Sequence, residues 1–245
     1  MLPMLRATLR IAGLILLFLA CLPPHLLSKR LLGRSFWPPR FLAAAAWIVG
    51  ARVRVVGEPL RPHTLLLANH VSWLDILVLG GATGCAFVSK DNLGHGFIHW
   101  LADQNQTLYI HRARRSATAD QASAIAGALE RPQPLALFPE GTTGPGDHLL
   151  PFRSSLLAAV APAPPRAEVR PVAIDYGPAA REVGWYNERG KDNVLRVLGR
   201  KESLPTTLHF LPPLEPSADR KHLAHQARET IRAALTASSS ARTGL

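Results

Sequence analysis

His70 and Asp75 stand five positions apart, where Asn69-His70 ends the apolar run Leu65-Leu66-Leu67-Ala68. A histidine can take a proton near neutral pH, and a carboxylate on its second ring nitrogen fixes the tautomer that does so. Five residues along a regular helix are a rotation of about 500°, which leaves the two side chains about 140° apart. The pair therefore requires His70 in the turn before a helix and Asp75 in the helix's first turn. Ser72-Trp73-Leu74-Asp75 supplies a capping-box pattern for that start, and a purely capping Asp75 is the competing reading. A second polar turn, Phe138-Pro139-Glu140-Gly141-Thr142, follows the apolar Leu135-Ala136-Leu137. Proline and glycine suit a turn whose backbone approaches a ligand closely. Glu140 is a candidate for binding a substrate hydroxyl. By itself the tripeptide Pro139-Glu140-Gly141 reads as an ordinary loop; its weight comes from its combination with His70 and Asp75.

The elements that would position these turns alternate. Strands are expected at 64–68, 85–88, 107–111, 134–138, 169–174 and 207–211. Helices are expected at 73–79, 96–104, 118–129, 154–160 and 221–235. Alternation of this kind implies an α/β fold, a mostly parallel sheet flanked by helices. Both polar turns then fall on one edge of the sheet, as one site. The expected layout is a membrane-associated helical segment at 1–54, a catalytic domain at 55–236 and a flexible tail at 237–245. Pro162–Pro165 reads as a surface connection, and no internal repeat is present.

At 245 residues and 47% hydrophobic composition the chain can build a sizeable core, which excludes global disorder. The net charge of +11 is unevenly placed. Eight basic residues and no acidic one precede Glu58, so the rest of the chain carries only +3. They flank two apolar runs, 11–22 and 41–51. The first is shorter than the ~20 residues a spanning helix needs and is expected to stop at Pro23-Pro24. Trp37 and Trp47 can sit at headgroup level. Two short apolar helices with basic flanks suggest a hairpin lying in one leaflet against an anionic surface, where each cation contributes roughly 1 kcal/mol. A single span from about Leu2 to Leu27 is the alternative. A polar basic stripe is absent, which argues against nucleic acid as the partner. Arg6 and Arg10 ahead of residues 14–21 also resemble a secretory signal, but Lys29, Arg30 and Arg34 are poor flanks for export. Cys21 and Cys85 lack metal or disulfide spacing, consistent with a reducing compartment.

Asn69-His70 with Asp75, followed by Phe138-Pro139-Glu140-Gly141-Thr142, resembles the glycerolipid acyltransferases of the lysophosphatidic acid acyltransferase type. Further blocks fall in that family's order. Leu108-Tyr109-Ile110-His111-Arg112 looks like its second block and Val169-Arg170-Pro171-Val172-Ala173-Ile174 like its fourth. Phe87-Val88-Ser89-Lys90 matches its lysine-bearing segment. The resemblance covers roughly residues 55–214. It implies a membrane-bound enzyme that moves an acyl group from coenzyme A or acyl carrier protein to a lysolipid hydroxyl, on the cytoplasmic face of the inner membrane. His70 and Asp75 would be catalytic. Glu140, Gly141, Thr142, Arg112 and Lys90 would bind substrate, the two cations facing an anionic headgroup. No metal and no cofactor beyond the thioester co-substrate is expected, and no nucleophilic side chain is required. The sequence does not identify an oxyanion donor.

The departures bear on the acceptor. Arginine and serine usually follow the third block, where this chain has Thr143 and Gly144; the second block usually has Asp where His111 stands. The variant Glu140-Gly141-Thr142-Thr143-Gly144 with Pro151-Phe152-Arg153 looks like a bacterial subgroup that includes lyso-ornithine lipid acyltransferases. The expectation is 1-acylglycerol 3-phosphate as acceptor, with lyso-ornithine lipid as the alternative. From another class, a catalytically inactive membrane-binding protein is also considered. A lipid hydrolase would carry a G-x-S-x-G nucleophile elbow, which the chain lacks.

Overall fold

The computed structural model describes residues 2–90, 96–110 and 117–244. Its helices are α1 (Leu2–Leu32), α2 (Trp37–Val49), α3 (Leu74–Thr83), α4 (Phe97–Gln104), α5 (Ala117–Leu129), α6 (Ala180–Val183), α7 (Gly190–Gly199) and α8 (Arg220–Thr243). Its strands are β1 (Ala51–Gly57), β2 (Thr64–Ala68), β3 (Ala86–Lys90), β4 (Leu108–Ile110), β5 (Leu135–Leu137), β6 (Glu168–Asp175) and β7 (Leu204–Phe210). They form one sheet in the order β1-β7-β6-β2-β5-β3-β4. Pairing is parallel throughout except between β6 and β7. The five strands β2 to β6 therefore end on one edge, where crevices in open α/β sheets bind ligands.

β2 lies at the middle and is buried along its whole length, which is why it reads as a continuous apolar run. Its residues alternate between two cores. Leu66 and Ala68 join Leu74, Leu79 and Val197 on one face; Leu65 and Leu67 join Ile125, Leu129, Leu223 and Ala227 on the other. The first face carries α3 and α7 with α1 and α2 packed over them, and the second carries α5 and α8.

Four expectations are corrected. First, α1 does not stop at Pro23-Pro24 but runs through them to Leu32. Two interior prolines delete two helical hydrogen bonds, and tertiary contacts override that cost. His25, the next residue, is buried and pairs through its ring nitrogens with Ser35 Oγ (2.8 Å) and Gln104 Oε1 (3.1 Å). Second, the boundary at 54/55 cuts a strand. Ala51–Gly57 is β1, an edge strand whose Arg52 and Arg54 had the look of a membrane flank. Charged residues are usual on such an edge. Third, the segment after 236 is not a frayed tail. α8 continues to Thr243, and Ser238 and Arg242 both bond Asp175 at the end of β6. Fourth, 154–160 is a 3₁₀ turn rather than an α-helix. α6 and α7 were not foreseen, although Val194, Leu195, Val197 and Leu198 stand at helical spacing in α7.

Candidate active site

The motif around His70 is held from four directions. β2 ends at Ala68, and Asn69 extends its ladder with a side chain: Nδ2 donates to Ile174 O (3.0 Å) and Oδ1 accepts from Ile174 N (2.8 Å). The chain then turns through His70 and Val71, and each backbone group of that turn has a partner. His70 N–H donates to Glu140 Oε1 (2.8 Å), and His70 O accepts from Gly144 N (2.7 Å). Val71 N–H donates to Asp75 Oδ2 (2.6 Å), and Val71 O accepts from Trp185 N (2.9 Å). Such complete pairing is what a buried turn demands, and here it immobilises the histidine.

The expected pair is formed. His70 Nδ1 lies 2.7 Å from Asp75 Oδ2, with Asp75 fully buried in the first turn of α3. A carboxylate can only accept, so Nδ1 carries the proton and Nε2 keeps its lone pair. The same Oδ2 accepts from Ser72 N (2.9 Å), so Asp75 also serves the helix start. The capping box is half made, since Ser72 Oγ has no hydrogen-bond partner among the described residues. The imidazole stacks on Phe138 with centroids 4.1 Å apart and planes 12° apart. The opening residue of the second motif thus orients the ring of the first.

Glu140 departs from the expected role. Its two carboxylate oxygens are taken by His70 N and Leu150 N (3.0 Å), and it is buried. It latches the His70 turn to the loop after β5 and is not among the residues that line the cavity beside His70. Burial pushes its carboxyl up to about 7 against those two N–H bonds. The folded state therefore keeps a proton that the unfolded chain loses near its ordinary 4.5. Stability from this group is present below about 4.5 and lost as pH rises through about 7. Glutamine cannot accept from both N–H groups. Glu140→Gln should lower kcat/KM roughly 10- to 100-fold. Thermal melts from pH 4 to 8 should show the wild-type advantage narrowing as pH rises; a constant gap would contradict the burial of an ionisable latch.

Gly141 and Thr142 do line a cavity together with His70. Gly141 has φ +71°, which favours glycine. A Cβ on Gly144 would lie 3.3 Å from Glu140 Oε2 and 3.4 Å from His70 O, so the serine of the family pattern would crowd this turn. Thr143, in place of the usual arginine, also faces the cavity. Lys90 ends β3 at the same sheet edge, but its side chain, and all of Arg112, His111, Arg114, Arg115 and His95, lie outside the described residues. Cys85 is fully buried with its thiol pushed up to about 12 by burial, in keeping with a core residue.

The cavity measures about 610 Å³. Its walls are apolar, built from Phe18, Cys21 and Leu22 of α1, Phe41 and Leu42 of α2, Ile76 and Leu77 of α3, and Phe87 and Val88 of β3. Trp73 and Trp185 line the same cavity as His70, their indole N–H groups donated to Asn193 Oδ1 and Glu188 O. Sequence reasoning missed the two tryptophans, Phe138 as a ring support and the participation of α1 in the cavity wall. It also missed Tyr176, whose hydroxyl reaches Asp75 from 101 residues away; no local spacing signals that contact.

A model of the acyltransferase family matches residues 52–175. The chain is 33% identical to a lyso-ornithine lipid O-acyltransferase of Pseudomonas aeruginosa, covering 92% of this chain and 91% of that protein. It is 32% identical to a 1-acyl-sn-glycerol-3-phosphate acyltransferase of Neisseria gonorrhoeae, covering 68% and 61%. The crystal structure of the lysophosphatidic acid acyltransferase PlsC from Thermotoga maritima superposes with a TM-score of 0.62 over 81% of this chain and 77% of that one, at 20% identity, and so shares the fold. With the His70–Asp75 turn assembled beside an apolar cavity, the chain belongs to the glycerolipid acyltransferase family.

Proposed function

We propose that the protein moves a fatty acyl group from a coenzyme A or acyl carrier protein thioester to the free hydroxyl of a lysolipid. The observation that carries this reading is a buried carboxylate on His70 Nδ1 at the wall of a long-chain-sized apolar cavity. His70 Nε2 takes the hydroxyl proton as the oxygen attacks the thioester carbonyl. The tetrahedral adduct collapses, expels the thiolate and forms the ester, and the imidazolium returns the proton to the thiolate. Asp75 stabilises the imidazolium between these steps.

Two observations move the preferred acceptor from 1-acylglycerol 3-phosphate to lyso-ornithine lipid. Thr143 offers no charge to a phosphate where the family pattern has arginine, and the relative named for lyso-ornithine lipid matches over 92% of the chain against 68% for the glycerol phosphate enzyme. The phosphate reading retains the support of that second relative. Membranes containing the protein, supplied with acyl thioester and each acceptor side by side, decide between them. Turnover of lysophosphatidic acid alone would overturn the preference and make Arg112 and Lys90 phosphate ligands.

The membrane reading rests on α1. It is long and apolar enough to cross a bilayer, yet it is fastened along its length. Arg10 Nη1 donates to Leu198 O (2.9 Å) at the end of α7, and His25 bonds Gln104 at the end of α4. Those two residues are about 22 Å apart along the helix. A helix so bound lies against the domain, which supports an interfacial helix over a free span, with Leu9, Leu16 and Trp47 exposed at 62%, 67% and 63%. Deleting residues 1–57 would remove β1 and uncover α3, so it is a test of folding, not of binding. Replacing Leu9, Leu16 and Trp47 by glutamine should instead weaken partition into anionic vesicles at least ~100-fold while the fold persists. Undiminished partition would place the membrane contact elsewhere.

A further inference from the structure

Asp75 has two oxygens with unequal surroundings. Oδ2 accepts from His70 Nδ1, Val71 N and Ser72 N. Oδ1 accepts from Tyr176 Oη at 2.6 Å, its sole recorded partner among the described residues. Tyr176 directly follows β6, is 1% exposed, and does not line the cavity. Its backbone is set by the end of β6 and by Ala179 N donating to Tyr176 O. Burial, then the neighbouring Asp75 charge, raises its phenol well above the ordinary value, so the hydroxyl keeps its proton and is the donor.

We infer that Tyr176 is a positioning residue for acyl transfer: its hydroxyl holds the Asp75 carboxylate in the orientation that orders His70. The inference rests on the catalytic role given to His70 above. A carboxylate with three donors on one oxygen and none on the other would be half satisfied in a dry site, where an unpartnered charged atom is costly. The phenol closes that gap. It also draws part of the carboxylate charge away from His70, which tempers how strongly the imidazolium is held. A core role explains the buried ring. It does not require a hydroxyl aimed at the oxygen left open by the catalytic turn.

The test is Tyr176→Phe, assayed in membranes for acyl transfer across pH. We expect kcat to fall about 10- to 100-fold with KM unchanged, since the residue touches no substrate. The acid limb of the kcat/KM profile should move to higher pH, because the full carboxylate charge then acts on His70. In an Asp75→Asn background the same substitution should have far less effect, the sign of action through Asp75. Should the phenylalanine variant fold poorly, 3-fluorotyrosine placed at position 176 keeps the shape and makes the hydroxyl a stronger donor; the acid limb should then move to lower pH. Wild-type rates and an unmoved profile in both proteins, or an equal loss in the Asp75→Asn background, would overturn the assignment. Absence of acyl transfer by the wild type would instead overturn the reading on which it rests.

Discussion

His70→Ala is expected to reduce acyl transfer by three orders of magnitude or more, with thermal stability and vesicle binding close to wild type. The size follows from what is removed: the only ring nitrogen at the cavity wall that is left with a lone pair by the Asp75 contact. General bases contribute roughly 10²–10⁴-fold, and no other described cavity-lining side chain is both basic and backed by a carboxylate. His25 lines the same cavity, but both of its ring nitrogens are engaged by Ser35 and Gln104. The fold should survive, because the turn is held by backbone groups of residues 70 and 71, which alanine keeps. The ring is partly exposed, at 18%. A purified variant that retains turnover with either acceptor would remove His70 from the mechanism. A variant that neither folds nor binds vesicles would show that stacking on Phe138 is structural first.

Asp75→Asn is expected to lower kcat about 10²-fold, a milder loss than a misplaced tautomer produces. In serine proteases the matching change costs about 10⁴ by presenting an amide N–H to the histidine. Here that inversion is blocked. Val71 N–H and Ser72 N–H point at the same oxygen as His70 Nδ1, so an amide nitrogen placed there would face two further donors. The asparagine must put its carbonyl toward them and its NH₂ toward Tyr176, whose hydroxyl can turn to accept. The Nδ1–H tautomer is preserved and only the negative charge is lost. Removing the charge from a charge-assisted hydrogen bond is worth roughly 1.5–3 kcal/mol, which is about ten- to 150-fold in rate. A loss near 10⁴ would mean that the amide has flipped and that the backbone donors do not enforce its orientation. Activity equal to wild type would reduce Asp75 to the helix start.

The two predictions show how far local sequence reaches. The polar turns at His70 and Phe138 were legible because each ends a run of apolar residues too short for a helix. That also placed β2 and β5 within a residue or two of their observed ends. Helix geometry left two readings of His70 and Asp75, a pair across the helix start or a purely capping Asp75, and the structure shows both the contact and the capping bond. Even there, tertiary structure decided the partners. Glu140 carries the chemistry of a substrate ligand, yet its oxygens are consumed by N–H groups 70 and 10 residues away. A carboxylate's availability depends on which donors surround it, and those come from other turns and loops of the chain.

The N-terminal region makes the same point in the opposite direction. Its composition indicated membrane contact, and its prolines indicated a break. Propensity is a small local free energy, and the packing of α1 over α2 and α7, with its polar ties at Arg10 and His25, outweighs it. The alternating Arg and Val residues of β1 were read as a basic flank because an edge strand lacks the buried face that marks a strand in sequence. Chain order and residue type by themselves indicated the acyltransferase family, the pairing of His70 with Asp75 and the sheet edge on which the pair stands. The three-dimensional fold alone decided which oxygen of Asp75 each donor reaches, that Tyr176 completes its shell, and that the apolar helix α1 walls the cavity. Those contacts join residues a hundred and more positions apart, where no spacing rule operates and only packing brings the groups together.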